Sequence, residues 1–323
     1  MAYETIVPVG TLQKSAQTYQ KELIIMPVIA AKETLQHMTA RPNTRGKRTV
    51  GQLGGDFEIA PYKSKRKSEG AFTITPRTLE TFLGNAAKDF DPNEVWDTVY
   101  GSMVTRGESL KNVDIAKQIL FYAAGLLGKK LNMSVWKAKR NADGDTTDTL
   151  FNGFDTITDT EIAAGNISVA KKNFMELETL NDQNAVDLLK SLYWASAAEL
   201  QGERVKMYMS FDQYRHYLQD YQSTVGATPY NQQYKKTFLE GSDGKCELVP
   251  LVSKSGSDFI HISPKSNMLY GYGNGSSSKE HIGIGKYASF VLTLEAAMYF
   301  GCEFESISPE RLMVAKVAAA AAE

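Results

Sequence analysis

The sequence predicts an α+β chain built around one protruding hairpin and one long helix. Three observations carry that prediction. Two runs that alternate apolar and polar residues, 56–60 and 71–75, flank a charged tip. Apolar residues then recur at three-to-four spacing through 113–139. The closing stretch, 264–317, breaks into short strand-like runs. Period two marks half-buried strands and period 3.6 marks amphipathic helix, so one mixed fold must house both. At 323 residues the chain can form one large or two modest domains.

Residues 1–49 read as an extended arm. Only 29–38 suggests a short helix, and Pro42, Asn43 and Gly46 break any continuation. The apolar run 23–31 has the length of a signal-peptide core, but Glu22 abuts it and Pro27 interrupts it, so it reads as arm or buried strand. It is also shorter than the about 20 apolar residues that span a bilayer. In the hairpin, Phe57 and Ile59 alternate with polar neighbours, Pro61 ends the first strand, and Phe72 and Ile74 alternate in the return strand. Its loop is longer than usual, and such a hairpin needs something to rest on. Residues 78–96 fit either helix or strand.

The long helix is anchored by Ile115, Ile119, Leu120, Leu127, Leu131 and Val135, with Asn112 or Asp114 as its cap and Asn141 to Gly144 as its stop. Gly125 and Gly128 weaken it by up to about 1 kcal/mol each, unless they admit a neighbouring backbone. A second amphipathic helix spans 183–201, with Val186, Leu189, Tyr193 and Leu200 on one side. Val205, Met207 and Met209 then mark a strand. Ser210 and Gln213 form a capping box for a helix carrying Phe211, Tyr214, Leu218 and Tyr221. Residues 224–234 read as a loop. Strands are expected near 247–252, 258–263, 268–272, 288–294, 298–306 and 312–317.

Net charge is −1, so the chain as a whole is no obvious nucleic-acid binder. The charges are unevenly placed. Arg41, Arg45, Lys47, Arg48, Lys63, Lys65, Arg66 and Lys67 make a basic block that holds only Asp56 and Glu58 as acids. Asp143, Asp145, Asp148, Asp155, Asp159 and Glu161 make an acidic block with no basic residue. They are either two solvated loops or partners, within a subunit or between subunits. Cys246 and Cys302 lie far apart without CxxC spacing, which argues against a disulfide framework or zinc site and fits a reducing cytoplasm.

The sequence offers no recognisable chemistry. His37, His216, His261 and His281 are scattered without metal-ligand spacing, and His261 falls in a candidate strand. Gly271, Gly273 and Gly275 follow a strand, but no helix start follows them, so phosphate would meet no row of helix-end N–H groups. Residues 241–246 place cysteine where a phosphate loop needs Ser or Thr. Both read as turns. Asp143, Asp145 and Asp148 lack the calcium-loop pattern, and there is no GxSxG elbow. The expectation is a non-enzyme with no cofactor and no metal.

The order of these segments resembles the major capsid protein of tailed bacteriophages, the Hong Kong ninety-seven-like fold. The hairpin with Pro61 and Pro76 near its ends looks like that family's extended loop. The 113–139 helix looks like its spine helix. Leu150, Phe151, Asn152, Gly153 and Phe154 look like the turn into the axial domain. Residues 205–212 resemble the axial strand that ends at a capped helix. Residues 262–271 and 290–295 resemble strands returning to the peripheral domain. The resemblance spans nearly the whole chain and rests on order and spacing.

The resemblance implies an N-terminal arm (1–49), an extended loop (50–83), a peripheral domain with the long spine helix (84–152 and 284–323) and an axial domain (153–283). It implies a virion protein, assembled in the host bacterial cytoplasm as pentamers and hexamers into an icosahedral shell around double-stranded DNA. Its partners would be itself, a separate scaffolding protein, a portal, packaged DNA through non-specific contacts, and decoration proteins, with no membrane. A large fused scaffolding segment is not expected ahead of Met1. Lys63, Lys65, Arg66 and Lys67 are expected to meet Asp143, Asp145 and Asp148 of a neighbour. Arg41, Arg45, Lys47 and Arg48 are expected to touch a neighbour or DNA phosphate. The lysine–asparagine cross-link of some relatives has no match here. The competing readings are an encapsulin-like compartment and a tail or neck component.

Overall fold

The computed structural model describes residues 18–55, 61, 62, 64, 72–90, 115–225, 237–275, 277–288 and 291–319. Two sheets organise them. The first orders β1 (Thr39–Pro42), β8 (Met268–Tyr272), β10 (Val291–Phe304), β3 (Phe72–Phe90) and β2 (Gly46–Gly55), with β9 (His281–Ala288) also on β10. The second orders β4 (Phe174–Leu177), β11 (Met313–Val317), β7 (Phe259–Ser263), β5 (Val205–Ser210) and β6 (Cys246–Leu251).

The described part of the expected arm is helical over 20–35 and extended only beyond, in β1 and the start of β2. Residues 20–30 form helix α1 (Gln20–Ala30), followed by the short α2 (Lys32–Leu35). Leu23, Ile24, Pro27 and Val28 are buried, so the apolar run is a packed helix rather than arm or strand. It lies against the long helix α3 (Ile115–Lys137), whose length is about 34 Å at 1.5 Å per residue. Gly128 makes this crossing possible. A Cβ there would stand 2.4 Å from the Ala30 Cβ and 2.5 Å from the Pro27 carbonyl oxygen. Gly125 meets nothing within 4 Å and has no such role.

At its end α3 carries Trp136, fully buried beside Phe154, Tyr208 and His261. Gly153 then starts α4 (Phe154–Ala163). A Cβ at Gly153 would sit 2.3 Å from the Trp136 carbonyl oxygen, so only glycine lets the chain turn this tightly under α3. Phe151, Phe154, Phe300 and Phe304 fill the core between the sheets.

The expected helix over 183–201 is two, α5 (Ala185–Ala195) and α6 (Ala198–Gly202), broken where Ser196 turns extended. The capping box forms as expected: Ser210 N–H donates to Gln213 Oε1 at 2.8 Å, and Gln213 N–H to Ser210 Oγ at 3.2 Å. It opens α7 (Phe211–Val225), which buries Tyr217 fully while Phe211 stays exposed. The helices α5 and α7 cover one face of the second sheet.

Two late strands divide between the sheets. β8 joins the first sheet through β10, with Phe300 opposite Tyr272. β11 joins the second, between β4 and β7. Its near-continuous burial suits an inner strand paired on both sides. β10 is one strand of 14 residues, not two, because β3 and β9 flank it through the expected gap. β4 and β9 have no counterpart among the expected strands.

Candidate functional site

The hairpin is longer than its sequence pattern suggests. Gly46 to Gly55 pair with Thr81 down to Phe72, so the first strand begins within the expected arm. The ambiguous stretch after Thr78 is strand as far as Phe90, where β3 passes from β2 onto β10. Cross-strand neighbours Leu53 and Ile74 are 66% and 68% exposed, an apolar pair left uncovered by the described residues. Residues 56–60 and the tip residues Lys63, Lys65, Arg66 and Lys67 lie outside the described residues.

Arg77, halfway along the ribbon's ladder, ties it to the body of the protein. Its guanidinium Nη2 lies 2.8 Å from Glu161 Oε1 on α4 and 2.8 Å from Glu303 Oε1 on β10. All three side chains are nearly buried. Burial works against the Arg77 charge, but Glu303 and Glu161 together raise its pKa above the usual value. Burial pushes the Glu303 carboxyl up, only partly offset by Arg77 and by the Phe304 N–H. Farther out, Gln52 accepts from Ser308 Oγ at 3.1 Å and donates to Glu310 at 3.4 Å. Sequence reasoning misses this trio of charges, because its members lie far apart along the chain and share no local pattern.

The basic residues at 41–48 are mostly committed within the chain. Arg41 pairs with Glu305 at 3.3 Å, Arg45 with the fully buried Glu280 at 3.2 Å, and Lys47 with Glu80 at 3.7 Å. Arg48 makes no ion pair among the described residues. Asp143, Asp145 and Asp148 stand exposed on the loop after α3. Asp148 accepts from Ser134 Oγ at 2.6 Å, tying that loop back to the helix. Neither Asp143 nor Asp145 forms an ion pair among the described residues. No group of three or more His, Cys, Asp or Glu among the described residues could hold a metal.

The densest polar cluster is buried. Lys254 Nζ donates to Asp155 Oδ1 at 2.7 Å and to Ser257 Oγ at 3.0 Å, and lies 4.1 Å from the Trp136 ring centre. His261 Nε2 is 2.9 Å from Thr158 Oγ1. Burial drives the His261 pKa well below its ordinary value, and the Lys254 charge adds to this, so the ring is neutral. A cleft of about 230 Å³ opens beside the cluster. Two oxygen acceptors and an aromatic face surround the Lys254 ammonium, the surroundings of a structural ion pair. His37 lies near Lys206, His216 pairs with Asp182 at 2.5 Å, and His281 lies 3.7 Å from Glu295. The 241–246 segment is a turn with Gly241 and Gly244 at positive φ, whereas Gly271 lies within β8 and only Gly275 beyond it takes positive φ. Cys246 and Cys302 are free and buried. No helix among the described residues is long and apolar enough to cross a membrane.

No family model and no curated protein matches the sequence. Solved structures do match in fold. A chain of the satellite phage P4 procapsid that includes the size determination (Sid) protein is 11% identical, with 90% of this chain and 98% of that chain covered and a TM-score of 0.58. The capsid of the native GTA particle is 13% identical, with 90% of each chain covered and a TM-score of 0.56. A Gordonia phage Cozz chain is 12% identical, with 92% and 87% covered and a TM-score of 0.52. The chain has the α+β, Hong Kong ninety-seven-like fold.

Proposed function

We propose that this chain is the major capsid protein of a tailed double-stranded DNA phage, a non-enzymatic subunit that builds an icosahedral shell from pentamers and hexamers. One observation carries the reading. The fold agrees end to end with capsid chains, over about 90% of both partners, so little of this chain is left for a different task. The projecting ribbon with its uncovered Leu53–Ile74 pair supports it, because a lone hairpin with an apolar face is marginal without a surface to rest on. Repeated modest contacts, closed by symmetry, then supply the stability of the whole.

In this reading 1–49 is the N-terminal arm, 50–83 is the extended loop, 84–152 with 284–323 is peripheral and 153–283 axial. The basic tip meets the acidic 143–148 loop of a neighbour, supported by the exposure of Asp143, Asp145 and Asp148. The internal pairs of Arg41, Arg45 and Lys47 leave Arg48 as the basic residue of that group best placed for a neighbour or DNA phosphate. Scaffolding protein, portal and decoration proteins belong to the same reading, as do the virion and the host cytoplasm as places of residence and assembly.

Expression of the chain alone and with candidate scaffolding protein, followed by sedimentation and electron microscopy, is the test. Closed icosahedral particles or capsomer rings are expected. Particles that hold a protein cargo and never DNA point to a compartment shell. Tubes or single rings joined to tails point to a tail or neck part. A monomer under every condition removes the shell reading.

A further inference from the structure

We infer that Arg77 is a positioning residue that sets the angle at which the hairpin leaves the body of the protein. The inference rests on where its three charges come from. Arg77 belongs to β3 halfway along the ribbon, opposite Val50 and directly after Pro76. Glu303 belongs to β10, in the same sheet. Glu161 belongs to α4, which packs between the two sheets. One guanidinium nitrogen, Nη2, holds both carboxylates at 2.8 Å. The ribbon is thereby referenced at once to a strand of its own sheet and to a helix outside it. The carboxylates are themselves fixed: Glu303 Oε1 accepts the Phe304 N–H at 2.9 Å, and Glu161 Oε2 accepts from Asn166 Nδ2 at 2.8 Å. The Arg77 Nε is buried without a hydrogen-bond partner. A group that gives up one hydrogen bond to hold two carboxylates is placed for orientation more than for strength. Buried ion pairs are in general weak sources of stability, and fixing one geometry is their better-attested use.

The inference concerns the single chain and stands whether or not the chain builds a shell. It is tested by pulsed dipolar spectroscopy between spin labels at Leu53→Cys on the ribbon and Val169→Cys on the body, both exposed positions, while native Cys246 and Cys302 are buried. Labelled chains are diluted with excess unlabelled chain, so that only distances within a chain are read. The full chain is expected to give one narrow distance peak. The charge-free triple variant Arg77→Leu with Glu161→Gln and Glu303→Gln, which leaves no buried charge behind, is expected to lose it and give a broad distribution while its far-ultraviolet spectrum stays native. Arg77→Lys keeps the charge but loses the guanidinium geometry, and is expected to broaden the peak less. A folded triple variant with the same narrow peak at the same distance overturns the inference. If the triple variant does not fold, Arg77→Lys decides: an unchanged peak overturns the inference, and a broadened one supports it.

Discussion

Removing one partner of the Lys254–Asp155 pair probes what holds α4 in place. The two charged groups are 2.7 Å apart, with side-chain exposures of 0% and 11%. At that separation, with an effective dielectric of about 20, their attraction is about 6 kcal/mol. Taking both ions out of water costs several kcal/mol each, so the pair as a whole is near break-even against apolar side chains of similar volume. A single deletion is not. Asp155→Asn leaves the Lys254 ammonium with Ser257 Oγ at 3.0 Å and the Trp136 ring at 4.1 Å. The ring contributes about 2 kcal/mol to a desolvated cation. A net loss of about 3–5 kcal/mol is expected. Lys254→Met with Asp155→Leu is expected to be less harmful than either single change. Urea unfolding followed by fluorescence measures the native chain, Asp155→Asn, Asp155→Leu, Lys254→Met and the double variant. A loss below about 1 kcal/mol in Asp155→Asn, or a double variant as unstable as the single ones, refutes this view of buried pairs. The pH dependence has a definite sign. Burial lowers the folded Lys254 pKa below 10.5, against the pull of Asp155, so on raising the pH the native state sheds this proton before the unfolded chain does. Its charged form is a cost below the lowered value, and that cost is relieved as pH climbs toward 10.5. Asp155→Asn widens this window downward.

Three more outcomes are expected. Gly128→Val destabilises by about 1–3 kcal/mol through overpacking against Pro27 and Ala30, whereas Gly125→Ala, in open space, stabilises by up to about 1 kcal/mol; thermal melts that rank the two the other way contradict the helix crossing. Glu303 has a folded pKa raised above 4.5, so its contribution is present below that value and is lost as pH rises through the raised one; Glu303→Gln should flatten this slope and hold stability at neutral pH, and a steeper slope counts against it. Reversal of Lys63, Lys65, Arg66 and Lys67 to glutamate should impair assembly while leaving the monomer folded, as read by sedimentation and circular dichroism, and normal shells at both low and high salt would sink the tip-to-loop contact.

Local chemistry makes much of the fold legible. The α3 periodicity, the Ser210–Gln213 box and the alternation of β5 depend on neighbours a few residues apart, and each element forms where its residues point. Gly128 is legible for a similar reason: glycine in mid-helix is costly, and the cost is offset where a second backbone packs against it, as Pro27 does here. What stays hidden is set at long range. The run at 23–31 has no strong polar face, and Pro27 reads as a breaker, yet α3 offers it a close surface. The strand identity of 82–90 comes from β10, more than two hundred residues later. The basic residues Arg41, Arg45 and Lys47 look free in sequence because their partners Glu305, Glu280 and Glu80 carry no local sign of the pairing.

The same distance effect hides the most informative polar feature, which is shared by both buried clusters. Helix α4 meets Lys254 through Asp155 near its first turn and Arg77 through Glu161 near its last. Between these ends it buries Phe154, Ile157 and Thr158, with Phe154 edge-on to Phe304 at 5.0 Å and Thr158 bonded to His261. Apolar contacts are non-directional and by themselves fix the rotation of this ten-residue helix less tightly than paired charges do. An ion pair at each end admits one rotation. Asp155 suits its end, where the helix dipole favours negative charge, while Glu161 sits at the unfavourable end and needs Arg77 as its counter-charge. Arg77 is therefore bound to α4 electrostatically as well as sterically, and the hairpin direction, the α4 rotation and the relation of the two sheets become one coupled setting. Such a setting fixes geometry even where it adds no net stability, which is why charge-free replacement should disturb the ribbon more than the melting temperature.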